Sequence, residues 1–249
     1  MVLLPMVWWV LAGRRTGLGR RGWAIIGYGC LFFVLGFVIS GALGISLYAA
    51  GATSGLILTL SSILVKALGQ EISRFVALAF VSQIREGLDR RSAITFGLGQ
   101  GGFQSLFLGL ALLAQARILE TATGDAVAAD VQKIVATPWF EFLAGALEQG
   151  VLVVALHVGL SLIVARGVAS GRFGLVLLAV VWHIGTIGIG ELIKASTGSG
   201  ALAIVWLAIA AVGAIAYGVM RGTSSFAPVD DAGTVTSRAE SIEPATGRS

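Results

Sequence analysis

The sequence predicts an all-α fold, a polytopic transmembrane helical bundle of about seven spans, and three observations carry that prediction. Mean hydropathy is +0.91, with 56% of the 249 residues hydrophobic and 12% charged, well below the roughly 25% charge of soluble domains. Apolar runs long enough to cross a hydrocarbon core of about 30 Å, which takes about 20 residues of helix, recur along the chain. Basic residues fall in alternate connections between those runs, as expected where one side of the membrane retains them.

In chain order the runs lie at 2–12, 23–48, 54–83, 93–113, 139–165, 173–195 and 200–220. The first is short, with no basic region before it and no small-residue cleavage site, which argues against a cleaved signal peptide. Arg14, Arg15, Arg20 and Arg21 follow it; Arg85, Arg90 and Arg91, then Arg166 and Arg172, and finally Arg221 mark the later connections on the same side. The opposite side holds only Arg117, Lys133 and Lys194. This asymmetry places the basic connections and the C-terminus in the cytoplasm. The connection at 114–138, with Glu120, Asp125 and Asp130, reads as a solvated external loop. Beyond the bundle of residues 1–221, residues 222–249 are rich in Ser, Thr, Pro, Gly and acidic groups. Such a composition buries too little apolar surface to fold, so it reads as a disordered cytoplasmic tail.

The pI near 9.7 does not point to nucleic acid, because the arginines are scattered between spans and form no basic face. The lipid bilayer is the expected partner. Cys30 is the single cysteine, lies within a span and forms no internal disulfide. The 35 glycines suit close helix packing in a membrane. GLGQGG at 97–102 matches a dinucleotide-binding pattern only in letters, since it follows no strand. The absence of asparagine, with three lysines against fourteen arginines, fits a high-GC bacterial genome and a bacterial cytoplasmic membrane.

The informative positions are polar residues inside the spans. A charge at a helix centre costs roughly 2.5 to 3.5 kcal/mol on insertion scales, so several together imply mutual burial or a water-filled cavity. The third run holds Lys66, Gln70, Glu71 and Arg74; the fourth, Gln100 and Gln104; the fifth, Glu148, Gln149 and His157; the sixth, His183 and Glu191. Glu71 and Arg74 are three residues apart, on one helix face, where carboxylate and guanidinium pair. His157 and His183 lie near the middle of consecutive antiparallel spans and meet at similar depth. That geometry suits a divalent metal, zinc first, with Glu71 or Glu148 completing the shell or acting as base. Glu148 and His157, nine residues apart, stand on opposite faces of an ideal helix, so both point at one centre only through a kink. For Lys66 the expected partner is a carboxylate, and Glu191 is expected to snorkel. The plainer reading of each residue alone is interhelical hydrogen bonding. HExxH, GxSG and GxGD are all absent, which leaves zincin-like, rhomboid-like and presenilin-like sites unsupported.

QEISRF at 70–75, GLGQGGFQSL at 97–106, LEQGVLVVALHVGLSLIV at 147–164 and VVWHIG at 180–185 together resemble the YhfC-like family of intramembrane metallopeptidases. That family is grouped with the glutamate-dependent CAAX-processing and bacteriocin-processing membrane proteases. The resemblance implies catalytic roles for Glu71, Arg74 and Glu148 and metal-supporting roles for His157 and His183. Gln70 stands where the family has the first of two glutamates, Gln100 where it has a histidine and Gln104 where it has a further glutamate. An amide is no general base near neutral pH, so hydrolysis here has to pass to Glu71 or Glu148. The expected function is cleavage or binding of a membrane-embedded peptide or a lipidated, for example prenylated, substrate. A transporter or channel with a polar relay, or an assembly partner for another membrane protein, are the alternatives.

Overall fold

A computed structural model describes residues 3–15, 19–51, 55–121 and 139–220. The expected tail at 222–249 and residues 122–138 of the expected external loop, with Asp125 and Asp130, lie outside the described residues. Among the described residues all regular structure is helical: α1 (Leu3–Arg15), α2 (Gly19–Ala49), α3 (Gly55–Phe80), α4 (Ser82–Arg85), α5 (Arg90–Thr121), α6 (Trp139–Ala169), α7 (Phe173–Thr197) and α8 (Gly200–Met220). Six of them, α2, α3, α5, α6, α7 and α8, are long and apolar enough to cross a membrane. At about 1.5 Å per residue, the 13 residues of α1 reach about 20 Å. This short first element leans on α5 and α2 and is fastened at two points: Trp8 Nε1 donates to Gly150 O and Trp9 Nε1 to Leu98 O, both at 3.1 Å.

α6 is the hub. In its most apolar window 78% of residues are buried, against 17% for α2 and 22% for α7, because α6 packs against α3, α5, α7 and α8 at once. Large apolar side chains on the outer helices, among them Val38, Ile45, Leu56, Leu192 and Val212, stay exposed. These face the hydrocarbon in a membrane, where they cost nothing.

Small residues set the depth of helix approach around the site. A Cβ on Gly97 would lie 2.6 Å from Val158 Cα, and one on Gly101 would lie 2.8 Å from Val154 Cα and 3.0 Å from His157 Cβ. Glycine at both positions lets α5 touch the backbone of α6 beside His157. On the other side Gly36 and Gly69 bring α2 against α3, with Ser40 Oγ bonded to Gly36 O and Val65 O.

Two breaks in regularity matter. α3 ends at Phe80, and the chain passes through α4 to Asp89, whose carboxylate accepts from Ser92 N at 2.7 Å and caps α5. Within α6, Glu148–Leu152 forms a π-helical turn. Arg166, expected in a connection, is instead inside α6 and buried, with Nε and Nη1 lacking protein partners.

Candidate functional site

Six of the polar residues singled out from the sequence meet in one hydrogen-bonded cluster formed by α3, α5, α6 and α7. Arg74, fully buried, is its centre. Its Nη1 contacts both oxygens of Glu71 at 2.5 and 2.6 Å, one helical turn before it on α3. Its Nε donates to Gln100 Oε1 at 2.9 Å, and its Nη2 lies 2.7 Å from His157 Nδ1. His157 Nε2 is 2.8 Å from Gln104 Oε1. On the far side, His183 Nδ1 is 2.7 Å from Glu71 Oε1.

The donor inventory assigns the protons. Guanidinium has only donors, so His157 Nδ1 accepts from Arg74, and His157 Nε2–H donates to Gln104 Oε1. His157 is therefore the neutral Nε2–H tautomer with both ring nitrogens used. Glu71 as a carboxylate only accepts, so His183 Nδ1–H donates to it. That leaves His183 Nε2 as the ring nitrogen with no partner among the described residues.

Gln70 and Glu148 do not join this cluster; each lines a flanking cavity. The first cavity, about 490 Å³, runs from Phe33, Phe37 and Phe107 to Lys66, Gln70, Gln104 and His183. The second, about 310 Å³, is bounded by Glu148, Gln149, His157, Glu191 and Lys194 and shares Lys66, Gln104 and His183 with the first. His183 stands where the two meet. Glu148 and His157 reach the same cavity because the π turn absorbs one extra residue. Positions nine apart across it behave as if eight apart, about 80° rather than about 180° on a helix of 3.6 residues per turn.

Two smaller expectations are corrected or refined. Lys66 has no carboxylate partner among the described residues. Glu191 pairs with Lys194 at 3.5 Å on an exposed stretch of α7, consistent with its place near a helix end. The aromatic wall of Phe33, Phe37 and Phe107, with tilted rings 5.5 to 6.4 Å apart, carries no sequence signal, since phenylalanine inside a span looks like any lipid-facing residue. Cys30 Sγ bonds to Gly99 O at 3.5 Å, a packing contact.

A divalent ion between His157 and His183 needs a free lone pair on each ring and a free carboxylate. The ring centroids are 5.9 Å apart, but the lone pair of His157 Nδ1 is taken by a guanidinium, and Glu71 is held by the same cation. Among the described residues, no group of three or more His, Cys, Asp or Glu side chains is placed to hold a metal ion. As arranged, the cluster is built around the Arg74 cation and does not fit a metal centre.

No curated protein and no solved structure matches the chain. The YhfC intramembrane metalloprotease family matches residues 1–196, which takes in every residue of the cluster and both cavities except the α8 wall. The chain is a multi-pass membrane protein that belongs to the YhfC intramembrane metalloprotease family.

Proposed function

We propose that this protein is an intramembrane peptidase-like protein that draws a membrane-embedded peptide or lipidated segment into the aromatic cavity and hydrolyses it with water activated at His183. The observation that carries this reading is the contact of His183 Nδ1 with Glu71 Oε1 at 2.7 Å. A carboxylate that fixes the Nδ1–H tautomer points the basic Nε2 of the ring away from itself and stabilises the imidazolium formed when that nitrogen takes a proton from water. His183 lines both cavities, so a substrate in the first meets water from the second at this ring. Arg74 is a positioning residue that holds Glu71, and Glu148 faces the water side.

The family is one of metalloproteases, and a divalent metal is what that membership implies. The donors here do not fit one, because Arg74 occupies both His157 Nδ1 and Glu71. Gln70, Gln100 and Gln104 keep the size and hydrogen bonding of the usual residues but supply no base. In the same reading the protein sits in a bacterial cytoplasmic membrane with its C-terminus inside.

The test is cleavage of a lipidated reporter peptide co-reconstituted with the full chain in liposomes. Glu71→Gln and His183→Ala are each expected to lower the rate by about 10² to 10⁴, the range of a lost general base. Unchanged cleavage in Glu71→Gln overturns the reading. A wild type that binds the reporter without cutting it is a non-catalytic relative.

A further inference from the structure

Among the described residues Lys66 is the one lysine, arginine, aspartate or glutamate that borders both cavities, and none of them places an opposite charge on it. It lies eleven residues after Gly55 and fourteen before Phe80 on α3. At about 1.5 Å per residue those are about 17 and 21 Å from the helix ends, within a helix long and apolar enough to cross a membrane. Glu148 and Glu191 line the second cavity, yet neither pairs with it. An ammonium within a membrane-spanning helix and without an anion is costly and marks a ligand or ion site.

The surroundings define what the anion is attached to. Ser62, Lys66 and Gln70 are spaced four apart on α3 and form one polar wall of the 490 Å³ cavity. Gln70 Oε1 is buried without a hydrogen-bond partner. The opposite wall is aromatic, from Phe33, Phe37 and Phe107. A cavity of this volume is within the range of small-molecule sites, and its polarity is split lengthwise: hydrocarbon on one side, a cation and amide on the other.

We infer that Lys66 is an anion subsite and that the cavity takes a single-chain amphiphile, its hydrocarbon tail against Phe33, Phe37 and Phe107 and its carboxylate or phosphate on the Lys66 ammonium. This rests on the reading of the cavity as the substrate site and narrows the substrate class to anionic amphiphiles. Gln70 and Gln104 flank the bound head and supply further polar contacts.

The experiment is equilibrium binding to the full chain in phosphatidylcholine nanodiscs, with palmitate, palmitoyl lysophosphatidate, neutral hexadecanol and cationic hexadecyltrimethylammonium as probes. The wild type is expected to bind at least one anionic probe about tenfold tighter than hexadecanol, a difference of about 1.4 kcal/mol, and the cation most weakly. Preference for palmitate identifies a carboxylate ligand, preference for lysophosphatidate a phosphate ligand, and equal preference a site for either; all three support the subsite. Lys66→Met should bring the anions to the level of hexadecanol, and Lys66→Arg should keep the preference. Equal affinity for neutral and anionic probes in the wild type overturns the inference without any variant, as does a folded Lys66→Met that keeps the preference. Failure of the hydrolytic reading looks different: the anion preference persists while no reporter is cleaved.

Discussion

The face of the polar cluster that α3 turns toward α5 and α6 and the face that it shares with α7 use their hydrogen-bonding capacity very differently. On the first, Arg74, Glu71 and His157 bind one another through nearly every strong donor and acceptor they have, at 2.5 to 2.9 Å and with at most 1% exposure. On the second, His183 and Lys66 line cavities where His183 Nε2, the Lys66 ammonium and Gln70 Oε1 have no partner among the described residues. The first side behaves as structure, since a buried network with its charges paired fixes one helix arrangement, although Gln100 Nε2 lacks a partner among the described residues. The second keeps its chemistry free for something that is not protein. Glu71 joins them, one oxygen shared between Arg74 and His183.

The sharpest way to break this comparison is to strip the cation from the first side. Arg74→Ala leaves the Glu71 charge buried and unpaired, and should destabilise the bundle by about 3 to 5 kcal/mol, seen as a large fall in Tm of the detergent-purified protein. A near wild-type Tm would show that the cluster is solvated and not structural.

The two histidines should then separate. His183→Ala is expected to lose cleavage by about 10² to 10⁴ with little change in Tm. His157→Ala leaves an Arg74 donor and Gln104 Oε1 unpartnered, and should cost about 1 to 3 kcal/mol. Equal losses of stability for both would erase the distinction between the sides.

A smaller effect is expected where helices touch. Gly97→Ala forces its Cβ onto Val158, pushing α5 from α6, at about 1 to 3 kcal/mol for overpacking. Gly27→Ala, which meets nothing within 4 Å, is the matched control and should be silent. Metal is the last test, with no effect expected. The purified protein should carry no stoichiometric zinc, and chelator should leave Tm unchanged. About one zinc per chain, lost in the double variant His157→Ala and His183→Ala, would show that Arg74 moves aside for a metal and that the closed side opens.

Much of this was legible in the linear chain. The spans are readable because every lipid-facing position must be apolar and every backbone bond must close within its helix, so each hydropathy run became a helix. The polar set was readable for the complementary reason: lipid tolerates few such groups, and the exceptions at Glu71, Arg74, Gln100, Gln104, His157 and His183 converge. Arg166 was not readable as buried, because arginine near a span end looks the same whether it snorkels or packs.

The sequence by itself determined the membrane bundle, the pairing of Glu71 with Arg74 across one turn and the family to which the chain belongs, because helical periodicity and transfer energies act locally. Only the tertiary structure decided who holds whom across helices. It placed the Arg74 guanidinium on His157, so that Nδ1 of that ring is a hydrogen-bond acceptor. Through a π turn it brought Glu148 and His157 to one cavity, and it left Lys66 unpaired beside an aromatic wall. Each of these depends on the relative rotation and depth of separate helices, which are set by close contacts such as those at Gly97 and Gly101 and are invisible to any window along one helix.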